Sequence, residues 1–116
     1  MNRLQNKVAI VTGANSGIGL RTAQLFAEEG AILVLCARRK EKLDEVAEAL
    51  RAQGSQVLSI AADVSREEDC VRVVEEAVKA FGRVDVLVNN AGMADKHRPI
   101  TRCDGDWWHT VIDVNQ

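Results

Sequence analysis

Hydrophobic and polar positions segregate along this chain by whole segments. Four short runs are almost entirely apolar and of strand length: Lys7–Thr12, Ala31–Ala37, Gln56–Ala62 and Val84–Val88. The second run, AILVLCA, has no polar alternation, which suits a strand covered on both faces. Between the runs, apolar residues recur at helical spacing. Gly17–Glu29 predicts a first helix, with Ile18, Leu25 and Phe26 on one side and Arg21, Gln24 and Glu28 on the other. In Arg39–Gln53, Leu43, Val46, Ala47 and Leu50 fall at i, i+3, i+4 and i+7, one stripe of a 3.6-residue period. Ser65-Arg66-Glu67-Glu68 reads as a capping box for a third helix that puts Cys70, Val73, Val74, Ala77 and Phe81 on one face. Gly30, Gly54 and Gly82 stand where helix C-terminal glycines belong. Met93–Cys103 is polar, carries Pro99 and predicts a loop. Asp104–Gln116 predicts the start of another helix, with Trp107, Val111 and Val114 in phase and no stop signal.

Strand and helix therefore alternate, and apolar strands in that setting imply a parallel sheet with helices on both faces. Right-handed crossovers give an α/β, Rossmann-type doubly wound sheet with strand order 3-2-1-4. The expectation is a single dinucleotide-binding domain over residues 1–116, incomplete at its C-terminus, with the second half of the sheet missing. Ligands of such sheets gather beyond the carboxyl ends of the strands. Those ends are Gly13, Arg38, Asp63 and Asn90, distant in sequence and expected at one rim. An uncovered edge beside the fourth strand would favour association.

The first of these ends is Thr12-Gly13-Ala14-Asn15-Ser16-Gly17-Ile18-Gly19. Strand, glycine-rich turn and helix present backbone N–H groups and a positive helix end to an anion. The spacing Gly-x-x-x-Gly-x-Gly is neither the G-x-G-x-x-G fingerprint nor a P-loop. A tight connection without a ligand is the bland alternative. The second end reads Ala37-Arg38-Arg39-Lys40, where a site reading an unphosphorylated ribose would carry Asp or Glu. A guanidinium fork suits a phosphate, so Arg38, with Arg39 beside it, points to NADP(H) over NAD(H). Arg39 and Lys40 equally fit the start of a solvated helix. Asp63-Val64 closes the third strand, and its carboxylate could accept from an adenine amino group; a helix-leading Asp is the alternative. Asn89-Asn90-Ala91-Gly92 closes the fourth with small residues that let a cofactor lie close, or forms a plain turn.

Composition narrows the partners. Apolar residues make up 47% of the 116 and charged residues 28%, which excludes disorder. The net charge of −2 gives no basic field for nucleic acid or an acidic membrane surface. No apolar stretch approaches a membrane span, and Met1–Lys7 lacks a signal-peptide centre. Cys36, Cys70 and Cys103 form no C-x-x-C pair and fit a reducing, cytoplasmic compartment. Cys36 and Cys70 read as buried small apolar residues. Asp95, His97, Cys103 and His109 match no zinc spacing, so no metal is expected.

The four strand ends together resemble the classical short-chain dehydrogenase/reductase family, specifically its N-terminal portion. The residues that carry the resemblance are Thr12–Gly19, Asp63-Val64, Asn89–Gly92 and Asn115 in Asp113-Val114-Asn115. It implies that Gly13, Asn15, Ser16, Gly17, Ile18 and Gly19 line the cofactor phosphates and ribose. It implies that Arg38 selects NADP, that Asp63 and Val64 bind adenine, and that Asn90, Ala91 and Gly92 lie beside the riboses. Asn115 matches the asparagine of the catalytic tetrad. The family's serine and Tyr-x-x-x-Lys are not matched, and the chain has no tyrosine at all. Cys103-Asp104-Gly105-Asp106 departs from the family's usual Ser and Glu at a helix start.

The expected function is thus an NADP(H)-dependent oxidoreductase passing hydride between nicotinamide and a small carbonyl or alcohol substrate. Its catalytic Ser and Tyr-x-x-x-Lys would lie beyond this chain, which alone would be inactive. By the same resemblance the parent would be a homodimer or homotetramer, and Trp107-Trp108 would lie near a covered surface. The alternatives are a non-catalytic nucleotide-binding module and an inactive truncated fragment.

Overall fold

The structure is a computed structural model that describes residues 3–15, 17–89 and 110–113. Its elements are β1 (Val8–Thr12), α1 (Gly17–Glu28), β2 (Ile32–Ala37), α2 (Lys40–Ala52), β3 (Val57–Ala61), α3 (Glu67–Phe81), β4 (Val86–Asn89) and β5 (Thr110–Asp113). The strands form one parallel sheet in the order β3-β2-β1-β4-β5, so the expected 3-2-1-4 core is present. The in-register pairs Val8↔Ile32 and Thr12↔Cys36 bring the ends of β1 and β2 level, and Val11↔Val88 does the same for β4.

Side chains alternate across each strand, and so the apolar runs fill two cores at once. On one face, Val8, Ile10, Val34, Cys36, Ile60 and Leu87 pack with Cys70, Val73, Val74 and Ala77 of α3. On the other, Ala9, Val11, Leu33, Leu35 and Val88 pack with Ala23 of α1 and with Leu43 and Leu50 of α2. The stripes expected on α2 and α3 are therefore the buried ones, and Cys36 and Cys70 are buried free thiols.

Three expectations fail. In α1 the buried residues are Gly19 and Ala23; of the expected apolar side only Phe26 packs against the core, while Ile18 and Leu25 are 46% and 43% exposed. Small residues let this helix lie close against the sheet; larger ones would hold it off. The capping box does not form: α3 starts after Arg66, in an extended conformation without a side-chain cap. The Ser65 N–H and hydroxyl instead both turn back to Asp63 Oδ1, at 3.0 and 2.6 Å, a local side-chain turn that holds Ser65 ahead of the helix. Last, Thr110–Asp113 is strand rather than helix and pairs with β4 through Val86↔Thr110 to Asn89↔Asp113. Thr, Val and Ile are β-branched and suit a strand, and β4 offers an edge to complete. That edge is thus covered, contrary to expectation.

Candidate functional site

The carboxyl ends of β1 to β4 meet at one rim. Gly13 and Gly17 bracket the turn after β1 with φ of 62° and 61°, a region that side-chain-bearing residues enter at a cost. A Cβ placed on Gly17 would meet no heavy atom within 4 Å, so the turn borders open space at that point. α1 begins there, and the first amides of a helix have no intrahelical acceptor. The base of the turn is held from two sides. The Ala14 N–H donates to Cys36 O of β2 at 3.4 Å. The fully buried Thr12 hydroxyl lies 3.4 Å from Val88 O and from Asn89 Oδ1 of β4.

At the next end, Ala62 N–H donates to Ala37 O at 2.9 Å, which sets Arg38 and Asp63 on neighbouring strand exits. Arg38 and Arg39 are both exposed. Asp63 is held at three points. Its own N–H donates to Asp69 Oδ2 at 2.8 Å, and its carbonyl accepts from Arg66 N–H at 2.9 Å. Its Oδ1 accepts from the Ser65 N–H at 3.0 Å and from the Ser65 hydroxyl. Oδ2 accepts no hydrogen bond from the described residues. The Ser65 bonds, with smaller help from the charges of Arg38 and Arg66, hold this carboxyl below the usual Asp range. It is an anion with one oxygen fixed and the other presented. Val64 beside it is buried, and its carbonyl accepts from Cys70 Sγ at 3.1 Å.

Of the sequence-derived candidates, Gly13, Asn15, Gly17, Ile18, Gly19, Arg38, Arg39, Asp63 and Val64 belong to this rim. Ser16, Asn90, Ala91, Gly92 and Asn115 lie outside the described residues, as do Asp95, His97, Cys103, Trp107, Trp108 and His109. The sequence named Thr12 and Asn89 only as parts of the resemblance and Ser65 only as a cap; their roles as supports of the candidates, and that of Asp69, come from the fold. Signals existed: a hydroxyl closing β1 just before the glycines, and an Asp-x-Ser spacing that favours local side-chain turns. Among the described residues no cluster of His, Cys, Asp or Glu could hold a metal ion. No described helix is long and apolar enough to cross a membrane.

A parallel sheet of this order, with a glycine turn where the strand order reverses between β1 and β4, defines a Rossmann-type nucleotide-binding unit. The chain belongs to the short chain dehydrogenase family, whose model matches residues 7–116. It is therefore of an oxidoreductase family. An uncharacterized oxidoreductase of Listeria monocytogenes, Lmo0432, is 42% identical over 112 residues, covering 97% of this chain and 45% of that protein. The 11-beta-hydroxysteroid dehydrogenase 1A of Arabidopsis thaliana is 53% identical over 118 residues, 93% of this chain and 34% of that one. A short chain dehydrogenase/reductase from Burkholderia phymatum, solved in complex with NAD, superposes with a TM-score of 0.76 at 38% identity. That match covers 80% of this chain and 33% of the other. The chain thus spans less than half the length of these relatives.

Proposed function

We propose that this chain holds the adenosine and diphosphate portion of NADP(H) for a short-chain oxidoreductase acting on a small carbonyl or alcohol. The observation that carries the reading is the pairing at the β2 and β3 exits. Arg38, followed by Arg39, stands beside Asp63, and Ala37–Lys40 contains no carboxylate to repel a 2′-phosphate. The groups present suit the rest of the cofactor. Gly17 leaves open the space a Cβ would fill, and the amides at the start of α1, from Ile18 and Gly19 onward, suit a diphosphate. Asp63 Oδ2 suits an adenine amino group. Asn15 and Ser16 would contact the phosphates, and Asn90, Ala91 and Gly92 would flank the riboses. Asn115 would support proton transfer. When bound, the cofactor supplies the hydride; this chain's part is to fix its adenosine end and diphosphate.

The 116 residues contain no tyrosine, so the proton donor that the family resemblance implies is not among them. The single dinucleotide-binding domain, the cytoplasmic setting and a homo-oligomeric parent belong to the same proposal. The Burkholderia relative was solved with NAD, which makes the choice of cofactor the sharpest test. Titration of the purified chain with NADPH and with NADH, read by nucleotide fluorescence, should show NADPH binding more tightly. Equal affinities, or a preference for NADH, would remove the reading of Arg38.

A further inference from the structure

Among the described strands, β3 is the outer one on its side, paired with β2 alone. Gln56 O accepts from Leu33 N–H, and Ala62 N–H donates to Ala37 O, each at 2.9 Å. In a parallel ladder alternate residues turn to the same neighbour, so the backbone groups of Val57, Ser59 and Ala61 point away from the sheet. Such a row of donors and acceptors is a template for one more strand.

Two of those three carbonyls are already taken, each by an arginine. Arg51, in the last turn of α2, places Nε at 3.2 Å and Nη2 at 2.8 Å from Val57 O. Arg72 of α3, from the opposite face of the sheet, places Nη2 at 2.7 Å from Ala61 O. Each guanidinium is steadied by an acid of its own helix: Glu48 at 3.1 Å from Arg51, and Glu76 at 3.5 Å from Arg72. Between the two, the Ser59 hydroxyl donates to Asp44 Oδ1 at 2.8 Å and ties the middle of the strand to α2. Bonds from a charged donor are stronger than the neutral amide bonds an incoming strand could offer the same oxygens. An added strand would also have to push two charged groups out of its path.

We propose that Arg51 and Arg72 form paired clamps that keep the β3 edge from adding a strand from a second copy of this chain. The device lies along the β3 edge and meets the rim at one point, where Arg72 Nη2 is 3.7 Å from Asp69, the acceptor of the Asp63 N–H. In the wild-type chain the amides of Val57, Ser59 and Ala61 should exchange with solvent deuterium much faster than those of Leu58 and Ile60. The double variant Arg51→Met, Arg72→Met keeps the apolar stems and removes the donors. It should at least double its mass by light scattering relative to wild type, in a concentration-dependent way, and gain protection at Val57, Ser59 and Ala61. Adding Ser59→Pro deletes the central outward N–H and should return the mass to that of the wild type. A folded double variant of wild-type mass overturns the proposal, as does association that Ser59→Pro fails to reverse. Should the double variant lose its cooperative melt, the wild-type exchange pattern decides: protected outward amides in the dilute chain also overturn it.

Discussion

Two aspartates, one at each rim of the sheet, are treated in opposite ways. Asp85 stands at the amino ends of β1 and β4 and is 3% exposed. Both of its carboxylate oxygens are committed. Oδ2 accepts the Val8 N–H at 2.9 Å, and Oδ1 receives Arg83 Nε at 3.0 Å and Nη2 at 2.6 Å. Its own N–H donates to Val8 O at 2.8 Å, so the two strand starts are stapled by side chain and main chain together. Asp63 stands at the carboxyl rim with one oxygen fixed by Ser65 and the other presented. On the proposed function, the difference separates a structural rim from a binding rim. A group that must meet a ligand keeps part of its hydrogen-bonding capacity uncommitted, and a group that closes the fold does not.

That contrast can be broken from either end. The largest effect is expected from Asp85→Ala. It leaves the Val8 N–H without its acceptor and the Arg83 fork without its carboxylate, at a cost of about 2–3 kcal/mol of stability in urea unfolding. Nucleotide affinity per folded molecule should stay at the wild-type value. The same residue sets a pH signature. Burial pushes the Asp85 carboxyl up, but the Arg83 and Val8 hydrogen bonds and the charges of Arg83 and Lys7 outweigh it and leave it below the usual range. A carboxyl lowered in the folded state contributes stability above its unfolded value, about 3.9, and loses it as pH falls through the folded value. Acid unfolding should therefore be less steep in Asp85→Ala than in wild type.

At the other rim, Arg38→Asp should reverse the cofactor preference, shifting the NADPH-to-NADH affinity ratio by about 10- to 100-fold without moving the urea midpoint. The smallest effect should come from Asp63→Asn. The amide oxygen can still accept from Ser65, but its NH2 replaces the presented acceptor. Affinity for NADPH and NADH should fall by a similar factor, about three- to tenfold, leaving their ratio intact. A change in that ratio would mean that Asp63 reads the phosphate end of the nucleotide rather than the base.

Much of this was legible in the chain because the strands are near-continuous apolar runs and the sheet order follows from right-handed crossovers. The stripes on α2 and α3 likewise announced their buried faces. Hydrophobicity misjudged α1, where closeness to the sheet selects Gly19 and Ala23 and leaves the larger Ile18 and Leu25 outside. The Ser65 capping box was a sound local pattern, but Ser65 turns back to Asp63 two residues upstream and the helix starts after Arg66 instead. For Thr110–Asp113, helical phase and β-branched composition disagreed, and pairing with β4 settled the outcome. Asp85 carried a signal that went unused: a lone acid between Val84 and Val86, preceded by Arg83, inside an otherwise apolar segment. At the site, the glycines, Arg38 and Asp63 were visible as residue types. Their supports were not, because Thr12 to Asn89 and Ala37 to Ala62 are contacts that only the folded sheet creates.

Cys36 lies directly under the Gly13–Gly17 turn: it pairs with Thr12 in the ladder, and its carbonyl receives the Ala14 N–H. Burial pushes its thiol up to about 12, against a smaller opposing pull from Arg72, so the sulfur stays protonated and shielded at neutral pH. Thiolate is the reactive form, so an alkylating reagent can reach this atom only when the sheet opens. Cys36 is thus a native chemical clock beneath that turn: if the proposed reading holds, its labelling, followed at Cys36 apart from the buried Cys70, should slow when nucleotide is present and time the rim's breathing without any introduced probe.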